Sequence, residues 1–254
     1  MKIIVCIKQV PARDALLRVD ESGRWIDEAD LGFEINEPDA YALEEALQLR
    51  EKHGGEVVVV SAGPPRAIQT IREALAKGAD RAIHIETEPT ARYDPLALAR
   101  LLAQAIRSEQ PDLILTGLQA DDLGYGQTGV VLAEVLGLPH ATIVMAAEKT
   151  DSGIRVRREL EAGWFQNVDM PLPALLTIQS GINKLRYATL MGIKRAKTKE
   201  IRAVKPESAA EVPRATVERV YPPPKSKQTE MLTGNAREAA AKLVEKLRFE
   251  ARAL

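Results

Sequence analysis

Thr116-Gly117-Leu118-Gln119-Ala120-Asp121-Asp122-Leu123-Gly124-Tyr125-Gly126-Gln127-Thr128-Gly129-Val130-Val131-Leu132-Ala133 is the stretch that decides the fold. An apolar strand over 112–116 runs into a loop with two acids and three glycines, and the loop runs straight into a helix. In an α/β protein such a junction lies at the carboxyl edge of the sheet, where ligands bind. Free N–H groups at the helix start and the positive end of its dipole favour an anion such as phosphate. The expected phosphate position is 124–129. Gly124-Tyr-Gly-Gln-Thr-Gly129 satisfies G-x-G-x-x-G. The dinucleotide fingerprint, however, belongs directly after the first strand, and here the glycines follow the fourth expected strand after a longer loop. A flexible turn with a glycine-rich helix start is the competing reading. No Walker A lysine motif is present.

Working outward, the chain upstream alternates strands with single helices. Residues 2–7 are a β-branched run without alternation, which suits a strand buried on both faces. Residues 17–26 hold Asp20-Glu21-Ser22-Gly23 between apolar pairs and predict a hairpin excursion. Asn36-Glu37-Pro38-Asp39 opens a helix, with Asn36 as its expected cap, Leu43, Ala46 and Leu47 as its apolar face, and Gly54-Gly55 as its stop. Residues 56–61 form the next buried strand, followed by a helix with Ile68, Ile71 and Leu75 on one face. A third strand covers 81–85. Asp94-Pro95 opens a further helix with Leu98, Leu102 and Ala105 as its stripe. After the glycine loop and its helix, 141–146 is a fifth strand. This pattern predicts an α/β fold with a doubly wound, mostly parallel, Rossmann-like sheet of the adenine-nucleotide-binding type. Its active edge gathers residues 6–9, 36–39, 61–64 and 117–129.

Past Ala147 the character changes. Residues 154–160 alternate strictly and predict an antiparallel, half-exposed strand. Trp164-Phe165 is expected to pack, and 173–179 is another strand. Residues 183–199 are basic and aperiodic. From Ala203 the chain turns polar and proline-rich, through Pro222-Pro223-Pro224, to an amphipathic helix with Ala240, Val244 and Leu247 in phase. The domain reading is therefore 1–202 for the α/β unit and 203–254 for an arm with a helix. Such an arm suits docking on a partner or packing back on its own domain.

The bulk numbers exclude several classes. The net charge of −1 leaves no global field for nucleic acid or anionic membrane. No apolar run approaches the ~18 residues of a membrane span. The single cysteine, Cys6, forbids an intramolecular disulfide and any zinc or iron–sulfur motif. The expectation is a soluble, cytoplasmic protein without a targeting segment. His53, His84 and His140 have no ligand-like spacing, so no metal site is expected. Ser61 and Ser180 lack a nucleophile-elbow context. Asp121-Asp122 reads as a solvated loop or ribose contact, and Lys194-Arg-Ala-Lys197 as a solvated basic face. Nothing is equipped for proton transfer or nucleophilic attack, which favours a binding or carrier protein over an enzyme.

The chain resembles the β subunit of electron-transfer flavoprotein. The matching pieces are Cys6-Ile-Lys-Gln-Val-Pro11, Asn36-Glu-Pro-Asp39 ahead of Ala42-Leu-Glu-Glu-Ala46, Val60-Ser-Ala-Gly-Pro64 and Ala74-Leu-Ala-Lys-Gly-Ala-Asp-Arg81. They continue in Pro111-Asp-Leu-Ile-Leu-Thr-Gly-Leu-Gln-Ala-Asp-Asp122 with Gln127-Thr-Gly129. The most specific are Val156-Arg-Arg-Glu-Leu-Glu-Ala-Gly163, Leu172-Pro-Ala174, and Asn183-Lys-Leu-Arg-Tyr-Ala-Thr-Leu190 on to Lys194-Arg-Ala-Lys197. The resemblance covers about residues 1–200, and the arm matches only in general character. It implies a noncatalytic carrier subunit in a heterodimer with an α subunit that holds most of the contacts to a redox-active FAD. It further implies a buried AMP in this subunit, on Cys6, Asn36, Glu37, Pro38, Asp39, Ala62, Asp122, Leu123, Gly124, Tyr125, Gly126, Gln127, Thr128, Gly129, Val130, Val131, Leu132 and Ala133. The phosphate would lie on the backbone at 126–129.

The segment 178–200 is similar to the family's recognition loop, with Leu190 as an apolar anchor for a partner dehydrogenase and Arg186 and Tyr187 beside it. Glu159 matches a glutamate expected to pair with an α-subunit arginine. Electrons would come from acyl-CoA or other flavin dehydrogenases and pass to a membrane quinone oxidoreductase. Two departures stand out. Glu37 separates Asn36 from Pro38 where the family form is Asn-Pro, and Lys184-Leu185 precede Arg186 where it is Glu-Pro. Gln127-Thr-Gly129 favours the AMP class. The Ile-Lys-Gln-Val-Pro start and the arm around Pro222 resemble electron-bifurcating members, whose β subunit holds an FAD that takes electrons from NADH. A third reading, a stand-alone ATP- or AMP-binding protein of the universal-stress type, leaves 156–199 unexplained.

Overall fold

The computed structural model describes residues 1–88, 92–206, 213–224 and 229–253. The first strand, β1 (Lys2–Cys6), is apolar on both faces and lies in the middle of the sheet. Two short strands, β2 (Gln9–Pro11) and β3 (Phe33–Ile35), then pair antiparallel as a separate sheet. Between them runs the expected excursion, narrowed to a single bridge between Val19 and Ile26. The helix α1 (Glu37–His53) leads to β4 (Glu56–Gly63), α2 (Ala67–Lys77) to β5 (Arg81–Glu86), and α3 (Pro95–Arg107) to β6 (Leu113–Gly117). After the glycine loop come α4 (Thr128–Leu136) and β7 (His140–Lys149). A hairpin of β8 (Ile154–Glu159) and β9 (Phe165–Met170) follows, then β10 (Ala174–Ile178), α5 (Leu190–Ala196), β11 (Ile201–Val204) and α6 (Ala236–Phe249).

The nine-stranded sheet has the order β11-β5-β4-β1-β6-β10-β7-β8-β9. Strands β11 through β7 run parallel and the β8–β9 hairpin closes the edge antiparallel, so the doubly wound, mostly parallel expectation holds. From β1 the chain winds one way, through β4 to β5, and then returns to place β6 on the other side of β1. That reversal is the switch point, and in open α/β sheets the crevice at the carboxyl ends of the strands there is where ligands bind.

Alternate residues of the central strands feed two cores. Ile3, Val5, Val57 and Val59 meet Leu43, Leu47, Ile71 and Leu75 of α1 and α2. Ile4, Cys6, Val58 and Val60 meet Leu102, Ile106, Leu132 and Ala133 of α3 and α4. Each fully buried Val, Leu or Ile contributes about 1.5–3 kcal/mol, so these cores fix the layers.

Local reading and structure differ in several places. Ile68 faces solvent, and Ala67, Thr70, Ile71, Ala74 and Leu75 form the buried stripe of α2. Trp164 and Phe165, expected to pack, are exposed on the β8–β9 hairpin. The aperiodic 183–199 contains α5, whose seven residues are too few to show a period. Strand β11 follows that basic segment and is not expected from the sequence; it adds to the sheet beside β5, with four residues too few to show an alternation. The late strand β10 inserts between β6 and β7 and is buried along its whole length.

Residues 207–212, 225–228 and 254 of the arm expected from 203 lie outside the described residues. Its first part is held to its own domain. Arg214 and Ala215 N–H groups donate to Asp94 Oδ2 at 2.5 and 3.1 Å, and Val220 N–H donates to Gly23 at 2.9 Å. Among the described residues α6 buries none of its side chains, with Leu243, Val244 and Phe249 exposed.

Candidate functional site

The crevice at the switch point is closed from below by one carboxylate. Asp39, in the first turn of α1, accepts the Lys8 N–H on Oδ2 at 2.8 Å and the Gly117 N–H on Oδ1 at 2.9 Å. It thereby ties the exit of β1 to the end of β6. This contact requires glycine at 117, because a Cβ there would lie 2.3 Å from Asp39 Oδ1 and 2.7 Å from Pro38 Cβ. Asp39 is buried, and burial pushes its carboxyl up to about 7 against the opposing pull of its hydrogen bonds and of Lys8. Cys6 is buried beside it at the end of β1. Its thiol is pushed far above the ordinary range, first by burial and then by the Asp39 charge.

Asn36 stands at the N-cap position of α1 but does not cap it with its side chain. The side chain turns across the crevice instead. Its Nδ2 donates to Gln119 O at 2.9 Å and its Oδ1 accepts Asp121 N–H at 2.9 Å. The α1 terminus is served from the other side, where Glu37 N–H donates to Asp121 Oδ2 at 3.2 Å. Arg13 pairs with the Glu37 carboxylate. Asp122 is held by Lys8, whose Nζ lies 2.6 and 2.7 Å from its two oxygens, and Asp122 Oδ1 also accepts Leu123 N–H at 2.8 Å.

The glycine loop follows. Gly124 N–H donates to Ala120 O at 2.8 Å, closing a turn. Gly124 and Gly126 both adopt φ +62°, the left-handed region that glycine enters at no steric cost, and a Cβ on either would meet no described atom within 4 Å. Helix α4 then begins without a side-chain cap on Gln127, whereas α3 is capped by Asp94, which accepts Ala97 N–H at 2.8 Å. The first amides of α4 have no intrahelical acceptor. Gly129 lets α4 approach the sheet, since a Cβ there would lie 2.6 Å from Thr116 Oγ1 and Thr177 Cγ2. Backbone amides at an uncapped helix start beside open, glycine-lined space fit an anionic group.

The residues expected to bind the nucleotide thus fall into three groups. Cys6, Asn36, Glu37, Pro38 and Asp39 converge with Asp122 and Leu123 at the ends of β1 and β6. Ala62 lies near the end of β4, the next strand over. Gly124, Tyr125, Gly126, Gln127, Thr128 and Gly129 form the loop and helix start, while Val130 and Val131 are half-buried along α4. Leu132 and Ala133 are fully buried in the second core. Sequence reading missed Lys8 and Gly117 as individual residues. Lys8 meets an acid 114 positions away, and no local pattern announces such a pair.

A second surface is built by the segment after β10. Arg186 turns inward and grips α1, with Nε 2.7 Å from the buried Glu44 and Nη1 2.6 Å from Glu51. Asn183 Nδ2 donates to Glu45 Oε2 at 3.0 Å. Helix α5 is pressed on α2, and Gly192 permits this because a Cβ there would lie 2.3 Å from Ala76 O. The segment is therefore fixed from beneath, while Tyr187 and Leu190 stand 94% and 86% exposed, with Met191 and Ile193 beside Leu190.

A third feature is a recess lined by Ile143, Glu159, Leu160, Glu161, Trp164 and Gln179. Ile143 adopts φ +57°, an unusual conformation for a β-branched residue, beside a register shift in β7.

The class so defined is a doubly wound α/β protein with polar side chains and a glycine loop gathered at its switch point and a firmly mounted loop that exposes apolar side chains. A family model described as electron transfer flavoprotein domain matches residues 24–209. The chain is 40% identical to the electron transfer flavoprotein subunit beta of Methylophilus methylotrophus, over 96% of this chain and 97% of the relative. It is 36% identical to the mitochondrial subunit beta of Oryza sativa subsp. japonica over the full length of both. It is 36% identical to subunit beta of Bacillus subtilis over 92% of this chain and 90% of the relative. The chain belongs to the electron transfer flavoprotein family. Among the described residues no helix is long and apolar enough to cross a membrane.

Proposed function

We propose that this chain is the β subunit of a heterodimeric electron-transfer flavoprotein and that it holds an AMP in the crevice between the ends of β1 and β6. The observation that carries this reading is the convergence of residues 36–39, Lys8 and the acid-and-glycine loop at the switch point, next to the uncapped start of α4. The amides at 126–129 would take the phosphate, and Asn36, Asp39 and Asp122 would hold the polar edge of the crevice. An FAD held mainly by the α subunit supplies the redox chemistry. In this chain the nucleotide has no redox role and stabilises the fold because it binds only the folded state.

The remaining surfaces fit the same role. Leu190, Tyr187 and their apolar neighbours on a fixed base suit transient docking of acyl-CoA or other flavin dehydrogenases, since a few residues carry most of a binding energy. Glu159 in its recess would meet an arginine of the α subunit. The final electron acceptor would be a membrane quinone oxidoreductase, reached from the cytoplasm without insertion.

The test is to denature the purified heterodimer and identify the released nucleotides by chromatography and mass. One FAD with one AMP per heterodimer is expected. Two FADs without AMP would refute the AMP assignment and make this subunit the FAD-binding half of a bifurcating, NADH-oxidising protein.

A further inference from the structure

Lys8, like Asn36 and Asp39, bonds to both of the other segments that converge on the crevice, and its bond to the loop is made by a cationic side chain. Its backbone N–H donates to Asp39 of α1 at 2.8 Å. Its backbone carbonyl accepts Asn36 N–H at 2.9 Å. Its ammonium sits on both oxygens of Asp122 in the loop at 2.6 and 2.7 Å. The pair is partly shielded, with the lysine side chain 33% and the Asp122 side chain 18% exposed.

The loop poses an electrostatic problem. Two adjacent carboxylates precede a helix start whose free amides would take an anion, and like charges close together repel. The two are answered differently. Asp121 is held by Glu37 N–H at the positive end of the α1 dipole. Asp122 has Lys8.

Resting on the nucleotide-binding reading above, we propose that Lys8 is a positioning residue for the nucleotide: by neutralising Asp122 it keeps the acidic loop compatible with a phosphate on the amides that follow. A lysine that merely braced the fold would matter equally to any ligand in the crevice. A neutralising lysine matters to charged ligands and little to neutral ones of the same shape. The geometry favours the second role, because the backbone of residue 8 already supplies the bonds to Asn36 and Asp39 and the side chain adds only the charged contact with Asp122.

The experiment uses the nucleotide-depleted heterodimer, titrated calorimetrically with AMP and with adenosine. Lys8→Met and Lys8→Gln are expected to weaken AMP about tenfold and adenosine much less, because an unpaired carboxylate then faces the phosphate. Lys8→Arg, which keeps the charge, is expected to restore the wild-type ratio of AMP to adenosine affinity. Equal weakening of both ligands in Met and Gln variants that retain the wild-type circular dichroism would overturn the proposal, as would AMP affinity equal to wild type. A wild-type heterodimer that binds neither ligand would instead refute the nucleotide reading itself.

Discussion

Gly117→Ala is the sharpest test of the crevice. The added methyl must share space with Asp39 Oδ1 at 2.3 Å, Pro38 Cβ at 2.7 Å and Asp39 N at 2.8 Å. None of these is the far end of a flexible chain: two belong to the rigid first turn of α1, and the carboxylate is fixed by two amides. The helix start must retreat, which costs about 1–3 kcal/mol as overpacking. Retreat also breaks the bond from Gly117 N–H to Asp39, a charge-assisted contact worth about 1.5–3 kcal/mol above about pH 7, where the carboxyl is ionised. Together the loss is about 3–5 kcal/mol, a large share of the roughly 5–15 kcal/mol that holds a domain folded. With a urea m-value of about 3 kcal/mol/M, the unfolding midpoint should fall by about 1 M or more. Gly124→Ala is the internal control. Its Cβ meets open space, and only the left-handed backbone is strained, at about 1–2 kcal/mol. Equilibrium unfolding in urea, followed by circular dichroism, measures both variants. A Gly117→Ala midpoint equal to wild type, or a larger drop for Gly124→Ala, would refute the close packing of α1 on β6 as the organiser of the site.

Four further outcomes follow from the same geometry. Asp39 is raised from an ordinary 3.8 to about 7 by burial, so the native state holds its proton more tightly than the unfolded chain. The associated stability is present below about pH 4 and is lost as pH rises through about 7; Asp39→Asn should flatten that slope in urea midpoints measured between these limits. Arg186→Ala leaves the buried Glu44 without its partner and should cost about 2 kcal/mol after discounting the exposed Glu51 arm, with Arg186→Lys recovering only part because an ammonium cannot bridge both acids. Leu190→Ala should lower dehydrogenase-linked electron transfer and leave flavin content unchanged; stopped-flow transfer rates equal to wild type would count against the docking role. The Cys6 thiol, raised by burial, should resist a disulfide reagent in the native protein and react promptly in urea.

Much of the site's location was legible from local pattern. Runs such as Val57-Val58-Val59-Val60 and the stripe of Leu102 and Ala105 announce buried strands and amphipathic helices through neighbours two to four residues apart. Alternation of these elements implies parallel strands, and parallel strands put residues 6–9, 36–39 and 117–129 on one edge. What local pattern misjudged was the partner of each polar side chain. Asn36 reads as a helix cap by type and position, yet it spans the crevice to Gln119 and Asp121. Arg186 is set in the recognition loop by resemblance alone, and only the structure shows its guanidinium on Glu44 and Glu51. Trp164 and Phe165 read as packing and face solvent.

The sequence by itself determined most element types, the doubly wound and mostly parallel character of the sheet, and the glycine loop ahead of α4, because backbone conformation and burial periodicity depend on near neighbours. Only the tertiary structure decided that β10 would slip between β6 and β7, that α5 would seat on α2 through Gly192, and that Lys8 would meet Asp122. Those contacts join residues tens to more than a hundred positions apart. Each depends on the whole sheet having brought its strand ends together, and no short window of sequence contains that information.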